Sequence, residues 1–173
     1  MKKTLTLPTV LTILRIVFSP VFFVLLLASK ATPGLVIFII VALTDWIDGM
    51  IAKYTKQITK FGEFLDPMAD KFMVALGVIA ITLKFDFPIY GLWILSRDII
   101  SLCGSFIIYK KRKANWEANK LGKATTFLQV VTIIAFIINN SLKFHILLVT
   151  MITSILTAIS YFRRTIRIVK ASK

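Results

Sequence analysis

Six apolar runs of about 20 residues divide this 173-residue chain, approximately at 8–28, 33–53, 66–86, 88–110, 121–141 and 144–163. A helix needs about 20 residues, at 1.5 Å per residue, to cross roughly 30 Å of hydrocarbon. The chain is 57% hydrophobic and 17% charged, more apolar side chain than a soluble domain of this size can hide. Ten-residue alternating strands are absent, and backbone groups in lipid must be satisfied within their own segment or a closed barrel. The expectation is an all-α integral membrane protein: a bundle of six transmembrane helices forming one domain over residues 1–173. The first run starts within a few residues of Met1 and lacks a small-residue cleavage site, so it reads as a retained helix. Cys103, the one cysteine, lies in an apolar stretch and is expected as a buried small residue.

Lysines and arginines set the orientation, because cytoplasmic loops are enriched in them. One side receives Lys2 and Lys3, then Lys53, Lys56 and Lys60, then Lys110 to Lys113 with Lys120 and Lys123, then Arg163, Arg164, Arg167, Lys170 and Lys173. The other receives Lys30, Lys84 and Lys143. Both termini are therefore expected in the cytoplasm. The net charge of +14 suits anionic lipid headgroups, each nearby cation being worth about 1 kcal/mol. Nucleic acid is not an expected partner, since a chain made of spans offers no basic helix or groove to read it.

Five of the eight acidic residues, Asp45, Asp48, Glu63, Asp66 and Asp70, lie between positions 45 and 70. Asp45 and Asp48 are three apart, with Gly49 and Ala52 following on the same helical face. Asp66 and Asp70 are four apart at the start of the third run, and a short basic connection folds the two runs antiparallel. Pro67 suits the first turn of a helix capped by Asp66, or else the helix starts nearer Gly62 and is kinked at Pro67. Four converging carboxylates in a partly desolvated site need protons or cations, and two divalent metals balance them. Hard oxygen donors suit Mg²⁺ or Mn²⁺; the lone histidine, His145, falls on the opposite face in this topology. The purely structural alternative is ion pairing with Lys53 and Lys71, against which Gly49 and Ala52 leave open space where packing would want bulk. A phosphate ester bridging two metals is the natural occupant of that space.

Written out, the positions are Asp45-x2-Asp48-Gly49-x2-Ala52-Lys53-x8-Gly62-x3-Asp66-x3-Asp70. This string resembles the signature of the CDP-alcohol phosphotransferases, D-x2-D-G-x2-A-R-x8-G-x3-D-x3-D, with lysine in place of arginine at position 53. Charge is kept there and the bidentate fork is lost. The segments Leu7 to Arg15 and Phe61 to Lys71 also resemble bacterial phosphatidylglycerophosphate synthases. The resemblance implies that Asp45, Asp48, Asp66 and Asp70 bind the metals, that Asp70 is also the base for the acceptor hydroxyl, and that Gly49, Ala52, Lys53 and Gly62 lie against the nucleotide. It further implies a homodimer in a bacterial cytoplasmic membrane, its site facing the cytoplasm, moving a phosphatidyl group from CDP-diacylglycerol to an alcohol with release of CMP.

An acceptor carrying its own phosphate calls for cations from other spans, and the candidates are Arg15 with Thr12 one turn before it, Arg97, Lys120 and Lys123. A local Arg97–Asp98 pair is the plain alternative for Arg97. Phosphatidylglycerophosphate synthases usually show Ala-Arg-Glu in the fourth span, a second arginine eight residues on, and Gly-Lys-x-Lys-Thr entering the fifth. Here the residues are Ser96-Arg97-Asp98, Ser105 and Gly122-Lys123-Ala124-Thr125-Thr126, and Ser-Arg-Asp resembles mitochondrial-type cardiolipin synthases, whose acceptor is phosphatidylglycerol. Glycerol 3-phosphate is the expected acceptor on the N-terminal match, with phosphatidylglycerol or another alcohol as the alternative. The non-enzyme alternative is an inactive lipid-binding protein that keeps the fold, against which the intact aspartates speak. A cation transporter would spread its carboxylates over several depths of the membrane.

Overall fold

The apolar runs become six α-helices in the computed structural model, which describes residues 7–55, 60–110 and 120–170, with side chains described at 12–44, 68–104 and 121–167. They are α1 (Leu7–Leu27), α2 (Ala31–Thr55), α3 (Lys60–Lys84), α4 (Ser96–Lys110), α5 (Lys120–Ile137) and α6 (Lys143–Lys170), and no strand occurs among the described residues. The basic residues Lys2, Lys3, Lys56, Lys111, Arg112, Lys113 and Lys173 lie outside them. Lys143–Arg167 is long and apolar enough to cross a bilayer, while Thr12–Leu27, Ala31–Thr44 and Leu121–Ile137 are apolar but shorter.

Three helices end on a left-handed residue that is not glycine: Ser29 (φ 61°) after α1, Asp86 (φ 53°) after α3 and Asn139 (φ 52°) after α5. Lys30 N–H bonds Leu25 C=O and Asn140 N–H bonds Ala135 C=O, both at 2.9 Å, so the chain reverses while capping carbonyls that the helix leaves open.

The chain divides into two compact units, Met1–Asp86 and Phe87–Lys173. In the first, α1 packs against both α2 and α3. Phe22 and Leu26 of α1, Phe38 of α2 and Val74, Val78 and Ile81 of α3 are buried, with the Phe22 and Phe38 rings edge to face at 5.1 Å. α3 begins at Lys60, the earlier of the two starts the sequence left open, so Pro67 lies inside the helix.

The second unit corrects the expectation of one continuous span over 88–110. Residues Ile89–Leu95 form a 3₁₀ helix, and α4 begins only at Ser96. Pro88 starts the segment with no N–H to give, and Gly91 is where the backbone passes under the Phe87 ring. A Cβ at Gly91 would stand 2.4 Å from Phe87 Cζ. That ring is itself held edge to face on Phe136, at 4.9 Å. Gly91→Ala is therefore expected to destabilise the protein by about 1–3 kcal/mol through overpacking, read as a lower Tm in detergent. An unchanged Tm would show that Phe87 yields without cost.

The 3₁₀ helix packs on α6, which also carries α4 and α5. Polar side chains pair across the contact between α5 and α6. Thr125, Gln129 and Thr132 of α5 and Thr150, Ser154 and Thr157 of α6 are all buried, each set at the i, i+4, i+7 spacing of one helix face. Thr125 Oγ1 meets Thr157 Oγ1 at 2.9 Å, and Thr132 Oγ1 meets Thr150 Oγ1 at 2.8 Å. Between these rungs, Gln129 Nε2 and Ser154 Oγ both donate to Ile94 C=O, at 2.7 and 2.9 Å. The middle rung thus closes on the last turn of the 3₁₀ helix. Cys103, expected to be buried, is exposed on α4.

Candidate active site

The helices sort the sequence-predicted residues before any side chain is considered. Asp45, Asp48, Gly49, Ala52 and Lys53 fall on the last turns of α2, and Gly62 and Asp66 on the first turns of α3; their side chains lie outside the described ones. Asp70, one turn beyond Asp66, is the one of the four aspartates whose side chain is described. Among described residues no three His, Cys, Asp or Glu gather to hold a metal.

Asp70 is held from α1. Arg15 Nη1 donates to Asp70 Oδ1 in an ion pair, with the arginine side chain 2% exposed and the carboxylate 31%. Helical spacing places Thr12 one turn before Arg15, and it too is buried. Ser19 Oγ donates to Arg15 C=O at 2.7 Å, bracing the same helix one turn later. A carboxylate gripped by a buried guanidinium yet partly open can be reached by a substrate while its direction is fixed. A group in that setting can take a proton from a hydroxyl brought within hydrogen-bond reach. The pairing with Arg15 connects two residues that sequence reasoning had placed in different roles.

The predicted residues of the second unit behave differently. Arg97 is 4% exposed, and Asp98 5%. Arg97 Nη2 and Nε donate to Asp98 Oδ1 at 2.5 and 3.1 Å, so the local pair, one of the two sequence readings, is present. The guanidinium also donates to Gly122 C=O at 2.5 Å, Thr126 Oγ1 at 3.0 Å and Gln129 Oε1 at 3.1 Å. Gln129 Nε2 completes the ring to Asp98 Oδ2 at 2.7 Å. Arg97 thereby fastens the first turn of α5, which carries Lys120 and the exposed Lys123. Thr125, where the resembling synthases show lysine, is spent on the contact with Thr157.

Gln129, Thr126 and Ser154 were missed as partners of Arg97 and of the Ile94 carbonyl. The signal was a lone amide inside an apolar run, in register with threonines four before and three after it.

Comparison with known proteins agrees with the motif. The family described as CDP-alcohol phosphatidyltransferase matches residues 5–159. A Bacillus subtilis (strain 168) protein named CDP-diacylglycerol--glycerol-3-phosphate 3-phosphatidyltransferase is 31% identical over 150 residues, covering 78% of this chain and 77% of its own. Proteins of the same name from Wigglesworthia glossinidia brevipalpis and Escherichia coli (strain K12) are 34% and 32% identical over 144 and 138 residues. Those matches cover 77% of both chains and 73% of both chains, respectively.

Proposed function

Because the chain belongs to the CDP-alcohol phosphatidyltransferase family, we propose that it transfers the phosphatidyl group of CDP-diacylglycerol to glycerol 3-phosphate and releases CMP. The relatives carry the acceptor in their name, and the observation that carries the chemistry is Asp70, partly exposed and oriented by Arg15 at the end of the four-aspartate pattern.

In this reading Asp45, Asp48, Asp66 and Asp70 hold two divalent cations, and their all-oxygen donor set fits Mg²⁺ or Mn²⁺. Cations held there would supply the positive charge that neutralises the pyrophosphate and the leaving CMP. Asp70 accepts the proton of the acceptor hydroxyl, whose oxygen attacks the β-phosphorus as the bond to CMP breaks. Gly49, Ala52 and Gly62 allow close approach of the nucleotide, with Lys53 as a point charge beside it. Arg15 orients the base, and Thr12 lies buried one turn before it on the same helix. Lys120 and Lys123 are assigned to the acceptor's phosphate, with Arg97 as the residue that holds their turn.

The setting assigned is a single domain of six transmembrane helices, a homodimer in a bacterial cytoplasmic membrane, with both termini and the site on the cytoplasmic side. The family match across residues 5–159 and the basic residues at alternate connections support it.

The purified protein in detergent, given CDP-diacylglycerol and Mg²⁺ or Mn²⁺, is expected to release CMP with glycerol 3-phosphate and to stop when EDTA is added. Release with phosphatidylglycerol alone would reassign the acceptor. No release with any alcohol would overturn the enzyme reading.

A further inference from the structure

Within the first unit, α1 and α2 leave a groove of about 290 Å³ lined by Leu14, Arg15, Phe18, Ile37, Ile40, Val41 and Thr44. This is near the lower end of the volumes of small-molecule sites. From Ile37 to Thr44 it follows α2 for about 10 Å at 1.5 Å per residue. Val41 forms its buried floor, while Leu14, Phe18 and Ile40 are 42%, 43% and 57% exposed, so the groove opens sideways along its length. Its polar end differs sharply from the rest. Arg15 there is the residue that grips Asp70, and Thr44 immediately precedes Asp45 in the chain.

We propose that this groove receives one acyl chain of the lipid donor, and so makes α1 and α2 the part of the protein that selects a diacyl substrate. The inference rests on the assignment of CDP-diacylglycerol as donor. The occupant follows from complementarity: a flexible hydrocarbon tail fits the apolar, laterally open part, and the phosphates to which it is tethered belong at the end marked by a guanidinium and the aspartate motif. A soluble nucleotide would leave the apolar length empty. An amphipathic helix from a partner is wider than the groove, since a helix with its side chains is about 10 Å across.

The test compares two donors on the full-length protein in detergent, CDP-dioleoylglycerol and a CDP-diacylglycerol with four-carbon chains, by CMP release. Ile40→Trp and Leu14→Trp fill the groove and are expected to raise KM for the long-chain donor about tenfold while moving the short-chain KM less than about twofold. Leu83→Trp, at an exposed position of α3, serves as the control and is expected to change neither. Equal effects on both donors, or none, would overturn the proposal. Should the filled variants fail to fold, the wild-type protein is photolabelled with CDP-diacylglycerol bearing a mid-chain diazirine, and with phosphatidylcholine bearing the same chain. Labelling at Leu14, Phe18 or Ile40 by the nucleotide lipid, suppressed by unlabelled CDP-diacylglycerol, supports the site. Equal labelling by phosphatidylcholine marks an ordinary lipid-facing surface and overturns it, as does crosslinking of two copies through bifunctional probes at Phe18 and Ile40. Absence of CMP release by the wild type strikes the donor assignment itself, whereas release with labelling elsewhere strikes only the groove.

Discussion

Asp70→Asn is expected to lower turnover by about 10²–10⁴-fold, the range that loss of a positioned proton acceptor commonly costs. Asparagine has the shape of aspartate and its Oδ1 can still accept the hydrogen bond from Arg15, but it cannot take a proton from an alcohol. The paired charge is lost as well, so a modest fall in stability, about 1–3 kcal/mol, should accompany the change. CMP release under saturating Mg²⁺ or Mn²⁺, alongside the melting curve and gel-filtration profile of the same preparation, separates the two effects. Turnover within about tenfold of the wild type would remove Asp70 from the role of base. Recovery of activity on raising the cation concentration would instead assign it to metal binding alone.

Arg97→Ala should act mainly on stability, by about 3–5 kcal/mol, because it removes the countercharge of the buried Asp98 carboxylate and the guanidinium donors to Gly122 C=O and Gln129 Oε1 together. Removing both partners in Arg97→Ala/Asp98→Ala is expected to recover part of the loss, since a missing pair costs less than half of one. Arg97→Lys keeps the charge but cannot reach Asp98, Gly122, Thr126 and Gln129 at once, and should fall between. Thermal unfolding of the detergent-purified variants reads these differences. An Arg97→Lys protein with unchanged Tm and a raised KM for glycerol 3-phosphate would show that the guanidinium contacts the acceptor directly.

The helices were legible because long apolar runs mark them, and each of the six begins or ends close to an expected position. The departures have local causes. α3 reaches back to Lys60 since a proline inside a helix is tolerated where neighbours re-satisfy the backbone, and run length alone does not register it. The fourth span opens with a 3₁₀ segment after Pro88, where Phe87 lies over Gly91, a contact that hydropathy cannot see. Cys103 was placed by residue type, and in a lipid-facing helix an apolar neighbourhood in sequence does not mean burial in protein. In the site, the aspartate spacing pointed to the family that matches residues 5–159, because a family signature fixes residue types at fixed intervals. The partners of the arginines were not legible. Arg15 and Asp70 are 55 positions apart, and Arg97 and Gly122 are 25 apart, so only the packing of helices reveals which acceptor each guanidinium reaches.

The carbonyl of Ile94 has a consequence for how the chain is made. Its two side-chain donors, Gln129 and Ser154, lie 35 and 60 residues downstream. When a ribosome has just produced the 3₁₀ segment, neither donor has been synthesised, so these two bonds form only after α5 and the first half of α6 have followed. A chain cut short before Ser154 lacks one of the two donors, and one cut short before Gln129 lacks both.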